Sequence, residues 1–224
     1  MTLNDLLNEH ACIAFDKQSA FAEFLGENYV WEIDLDKGKI AFSKTKNNKN
    51  YNFTFQILGS ESDEDNTWLW SWANTESHIP SRLLAAANAM HTIGIENNIS
   101  EIITAKIYLD ELPNAGHIFC MIGSSEFKAS AYFRANYKGG AAYVLVQGIP
   151  MEARVDSHKL VATFSKVISI FEIDHKVALE VYLSHHGYKI EKSGENKWEA
   201  AKNSQPPIRV TFDNLGRVEE ISVI

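Results

Sequence analysis

Apolar and polar positions alternate through four consecutive segments of the chain. Trp31, Ile33 and Leu35 alternate with Glu32, Asp34 and Asp36. After a turn at Asp36-Lys37-Gly38, Ile40 and Phe42 resume the apolar face. Tyr51, Phe53, Phe55 and Ile57 then alternate with Asn52, Thr54 and Gln56. The fourth segment, Thr67-Trp68-Leu69-Trp70-Ser71-Trp72-Ala73-Asn74, sets a tryptophan at every second position. Alternate side chains of a strand share a face. The pattern therefore predicts four antiparallel strands with one aromatic face and one wet, polar face. A lysine- and asparagine-rich loop over 44–50 and an acidic loop over 59–66 separate the last three.

Helical spacing governs other stretches. Leu3, Leu6, Leu7, Phe21, Phe24 and Leu25 predict a helix over 3–25, stopped at Gly26. Pro80 suits the first turn of a second helix. Its stripe is Leu83, Ala86, Ala87, Met90 and Ile93, and its alanines allow close approach to bulky indoles. Gly94 is read as ending or weakening it. Residues 101–109 read as a strand and 111–124 as a helix. A hairpin about Lys138-Gly139-Gly140 follows, over 128–149. Amphipathic helices over 157–172 and 175–186 precede four short strands at 188–192, 197–201, 208–212 and 218–223.

These elements give an α+β fold: an antiparallel sheet with its aromatic face covered by helices, plus a small C-terminal helical and β appendage. The expected division is a main domain over 1–150 and a helix-helix-β subdomain over 151–224, docked on the first because it is small for a free domain.

Composition narrows the class. The chain has 224 residues, 45% hydrophobic and 22% charged, with a net charge of −8. That charge disfavours nucleic-acid and anionic-membrane surfaces; it serves solubility or suits a basic partner. Cys12 and Cys120, the two cysteines, make no disulfide framework. The start lacks a signal-peptide pattern, and no stretch has the ~18 uninterrupted apolar residues of a membrane span. A cytoplasmic location is the expectation.

Candidate chemistry is thin. His185-His186 are adjacent, so on a helix they diverge and do not chelate together. His117 and Cys120 share a helical side, but Phe119, Met121 and Ile122 point to a buried setting unsuited to a nucleophile. Asp34-x-Asp36-x-Gly38 lacks the remaining ligands of a calcium loop and reads as a turn. No phosphate-binding loop or nucleophile elbow occurs, and Gly123-Ser124-Ser125 lacks the second glycine. No catalytic residue, metal or cofactor is expected.

Trp31 with Asp34, Gly38-Lys39-Ile40-Ala41-Phe42, Ile57-Leu58-Gly59 and the Thr67–Asn74 box together resemble an uncharacterised bacterial family of unknown function, number 6882. The resemblance is best over 30–150. It implies a bacterial cytoplasmic α+β protein and assigns no catalytic residue.

The functional reading is a non-enzymatic cytoplasmic interaction protein, an immunity-type inhibitor or regulator of a basic protein partner. Glu61, Asp63, Glu64 and Asp65 are its candidate contacts. The alternative is a small-molecule binder or hydrolase with a tryptophan-lined pocket of Trp68, Trp70, Trp72 and Asn74. The tryptophan strand is either the floor of a core or the wall of that pocket.

Overall fold

The computed structural model describes residues 1–44, 49–150 and 155–224, and every count below is of those residues. Most of the loop expected over 44–50 falls on 45–48, outside the described residues; the expected boundary after residue 150 adjoins 151–154, also outside them. The fold is α+β. No described helix is long and apolar enough to cross a membrane. The chain forms two compact units, one of Met1–Leu3 with Lys17–Met151, the other of Asn4–Asp16 with Glu152–Ile224. Helix α1 (Leu3–Leu25) thus serves both.

The first unit is built on a seven-stranded antiparallel sheet. Strands β1 (Tyr29–Asp34), β2 (Lys39–Lys44), β3 (Lys49–Ser62), β4 (Thr67–Trp70) and β5 (Lys106–Tyr108) follow one another. The hairpin β6 (Ala131–Tyr137) and β7 (Gly140–Gln147) joins through β7, which pairs along β3. The sheet curls until rings on the outer strands meet: Trp31 and Phe133 lie 5.6 Å apart, centroid to centroid. Phe42, Phe53, Phe55, Ile57, Val144 and Val146 fill the inner face, and Phe21 and Leu25 of α1 pack onto it.

One residue divides the sheet's two aromatic sets. The pairing of β3 with β7 passes from Ile57↔Val144 to Gly59↔Tyr143, so Leu58 is a bulge. A one-residue shift sends every later side chain to the other face. Gly59 pairs with Trp70 and Glu61 with Trp68. Trp68 and Trp70 therefore lie opposite Phe53, Phe55 and Ile57, not beside them as simple alternation predicts. Ser71 secures the bulge: its N–H donates to the Leu58 carbonyl at 2.9 Å and its hydroxyl to the Ile57 carbonyl at 2.7 Å.

Helices cover the tryptophan side. A 3-10 turn at Ser81–Leu83 leads into α2 (Ala85–Asn97), and α3 (Ser100–Ile103) follows. Of the two readings of Gly94, an end is excluded: α2 runs through it to Asn97, with Asn98 as a left-handed cap. Gly94 instead permits close packing, since a β-carbon there would meet Ile102 at 2.7 Å. The strand expected over 101–109 shortens to β5, because Ile102 and Ile103 belong to α3. Helix α4 (Ala115–Glu126) lies close to the sheet by the same means, its Gly116 over the Tyr143 ring and its Gly123 over Leu58.

The second unit holds α5 (Ser157–Ile170), α6 (His175–His185) and a four-stranded antiparallel sheet of β8 (Lys189–Lys192), β9 (Lys197–Ala201), β10 (Ile208–Phe212) and β11 (Val218–Val223). Asp156 and Asp174 cap the two helices by accepting from the Lys159 and Val177 N–H groups, as short acceptors at an N-cap do. Asp16 of α1 is buried here and accepts from the Tyr182 hydroxyl at 2.7 Å and the Thr163 hydroxyl at 3.1 Å. His186 Nε2 lies 3.0 Å from the same carboxylate.

Both cysteines are buried free thiols, and burial pushes each upward in pKa. A thiol reagent should modify both after denaturation and neither in the native protein, because the attacking species is the thiolate. Fast labelling of the native protein would contradict the packing around Cys12 and Cys120.

Candidate functional site

The residues singled out from the sequence separate into three places. Trp68 and Trp70 are fully buried. Their rings meet edge to face at 5.4 Å, and Phe119 packs against Trp70 at 4.4 Å. Neither indole is open to a ligand. Trp72 is off the strand, in a turn after β4, and stacks on His91 at 3.9 Å. The expected row of three tryptophans on one strand face is thus two, and they are core.

The acidic group also divides. Glu61 lies in β3 at 8% exposure, facing the helices. It accepts from the Tyr143 hydroxyl at 2.8 Å, with the Arg134 guanidinium at 3.4 Å. Burial, then the Glu61 carboxylate, pushes the Tyr143 phenol upward, so it stays a hydrogen-bond donor. Glu61 is therefore no surface contact. Asp65 pairs with Lys106 at 2.7 Å. Asp63 and Glu64 are exposed at the β3–β4 turn.

Other candidates are occupied structurally. Asp34 takes the Lys37 N–H and Nζ, both at 2.8 Å, which holds its carboxyl below the usual range and closes a turn. His117 Nδ1 lies 3.1 Å from the Tyr132 hydroxyl, and burial lowers its pKa. Cys120, three residues on, is fully buried. Among the described residues no group of three or more His, Cys, Asp or Glu is placed to hold a metal ion.

The bulge and the curl instead create a site that no local pattern announced. On the inner face, beyond the Phe cluster, the sheet opens into a cleft of about 520 Å³. Its walls are Trp31, Ile33 and Leu35 from β1 and its following turn, and Ala135 and Tyr137 from β6. Its floor is Ile57, Gly59 and Ser60 of β3 with Ala142 and Val144 of β7. Ser71, Asn74, Ser77 and Ile79 close one side. Asn74, the one sequence candidate that reaches this cleft, is held by accepting the Ser77 N–H at 3.1 Å. The Ser60 backbone pairs within the sheet, and its hydroxyl has no hydrogen bond to another described residue. Among the described residues, none that lines the cleft carries a charge.

This volume falls within the ~300–1,000 Å³ of small-molecule sites, which pair apolar walls with a few fixed polar groups. A second cleft of about 350 Å³, lined by Gln18, Tyr29, His117, Tyr132 and Arg134, is more polar in its side chains. Several of those groups satisfy one another: Gln18 bonds the Tyr132 backbone at both ends of its amide. A set of small residues facing an aromatic one, Ala135 and Ala142 with Trp31, was the signal that could have marked the larger cleft.

No curated protein and no solved structure matches the chain. One family model does, over residues 4–149, which covers the first unit's sheet and α1–α4. The chain belongs to that family of unknown function, DUF6882.

Proposed function

We propose that this protein binds a small molecule in the open end of its curled sheet. The observation that carries the reading is the uncharged cleft of about 520 Å³ over Gly59, Ser60 and Ala142. The reading takes over the sequence-derived alternative of an aromatic pocket and moves it from Trp68–Trp72 to Trp31. The lining supplies hydroxyls and an amide but no carboxylate, imidazole, thiol or amine. Such a set recognises and orients; it lacks the acid–base pair that hydrolysis uses. The role is therefore binding.

Ala142→Leu tests this. Ala142 lies half-buried on the cleft floor, so the larger side chain grows into open volume. Nile red, a neutral dye that brightens in apolar surroundings, should bind the parent at one site. The variant should bind at least tenfold more weakly, a difference of about 1.4 kcal/mol, and should melt like the parent. Equal binding by the two proteins would contradict the site.

A basic protein partner is the second reading, favoured by Asp63 and Glu64, exposed side by side on a turn anchored to β3 and β4. An inhibitory role of the immunity type would act through that turn. Asp63→Asn with Glu64→Gln should then slow association and lessen its salt dependence, without loss of stability. Glu61 stays intact in this test, because its removal would strand the Tyr143 hydroxyl. Salt-independent capture, unchanged in the variant, would remove the charge-led reading.

A further inference from the structure

We infer that the ligand of this cleft is a neutral, planar aromatic molecule with a hydrogen-bonding edge, an inference that rests on the binding role proposed above. Three features select that class. The first is charge. An ionised group buried without a partner is strongly disfavoured, and none of the described lining side chains offers a counter-charge. The second is wall chemistry. Trp31 and Tyr137 come from the two outer strands, with the small Ala135 beside Tyr137's strand position, over a floor that includes the small Gly59 and Ala142. Aromatic walls over small floor residues suit a flat ring, which gains offset or edge-to-face contacts beyond its area burial. The third is sparse polarity where the β3 floor meets the side closed by Ser71, Asn74 and Ser77. Ser60, Asn74 and Ser77 lie along the cleft with Ser71, whose hydroxyl is committed to the Ile57 carbonyl. Asn74 keeps its amide N–H groups after accepting from Ser77.

Competing classes fit less well. An alkyl chain would cover Ser60 and Asn74 without replacing their bonds to water, and unpaired polar groups discriminate strongly against such ligands. A sugar would bring hydroxyls against Ile33, Leu35, Ile57, Ile79 and Val144, which have nothing to offer them. A carboxylate or ammonium would meet no opposite charge.

Displacement of Nile red tests the class with five probes: 2-naphthol, naphthalene, 1-decanol, 2-naphthoate and glucose. Run at a pH where 2-naphthol is neutral, it should displace the dye at concentrations at least tenfold below those needed for decanol or naphthoate. Glucose should not displace it. Ser60→Ala with Asn74→Ala should erase the preference of 2-naphthol over naphthalene while naphthalene itself binds as before. Decanol or naphthoate matching 2-naphthol would overturn the aromatic, neutral class, and a preference unchanged in the double variant would overturn the polar edge. In either case, Nile red still blocked by Ala142→Leu leaves the cleft itself in place. Failure of Nile red to bind, or indifference to Ala142→Leu, would overturn the binding role and this inference together.

Discussion

Trp70→Ala lowers the unfolding free energy of the first unit by about 3–5 kcal/mol, the range of large aromatic truncations in a packed core. The residue is fully buried. Its ring packs on Phe119 and Trp68, and its indole N–H donates to the Glu101 carbonyl at 3.1 Å. Gly59 lies directly across the strand pair and has no side chain to fill the space. Neither the sheet nor α4 can close the cavity without moving the other. Urea unfolding followed by far-ultraviolet circular dichroism reads the effect without relying on the lost fluorophore. Trp72→Ala is the control. Trp72 is only partly buried and off the strand, against His91, so its loss should cost distinctly less. Parent-like stability of Trp70→Ala would show the indole is not part of the core.

Asp16→Ala is the second large effect, and it falls on the other unit. The carboxylate is 2% exposed and accepts from two hydroxyls, on Thr163 and Tyr182, beside His186. Removing the acceptor leaves those buried donors unsatisfied, at about 1–3 kcal/mol each. A total loss of roughly 2–6 kcal/mol follows. Tyr182 is held protonated in the parent, since burial and then Asp16 push its phenol upward; the hydroxyl therefore remains a donor that needs a partner. Tyr182→Phe should recover part of the loss when combined with Asp16→Ala, because it removes one orphaned group. Additive losses in the double variant would contradict the network.

What the sequence made legible follows from what is local. The alternation at Trp31–Leu35, Ile40–Phe42 and Tyr51–Ile57 marked three strands, and their antiparallel order is observed. Amphipathic stripes marked α5 and α6. The bulge was not legible: Ile57-Leu58-Gly59 reads as an uninterrupted apolar run, and the extra residue is stabilised by Ser71, on another strand's end. Because the bulge inverts the faces of everything beyond it, the tryptophans passed to the other side of the sheet. Glu61 read as a loop residue because three acids follow it closely. In the fold, β3 continues to Ser62 because Gly140 of β7 pairs with it, a partner far along the chain. The cleft is less local still. Its lining runs from Trp31 to Val144, and only the curl of the sheet joins them. Of the sequence candidates, Asn74 alone lies in it, through a turn that alternation treated as strand.

The central claim is that a ligand enters the curled sheet over Ala142. The most direct measurement is a nitrogen–proton correlation spectrum of labelled protein titrated with 2-naphthol. The expected shifts concentrate on the Trp31 indole and the amides of Ser60, Asn74, Ala135, Tyr137 and Ala142, with Asp63 and Glu64 still. Shifts gathered instead at Gln18, His117 and Arg134, around the smaller cleft, or no shifts at all, would contradict the account.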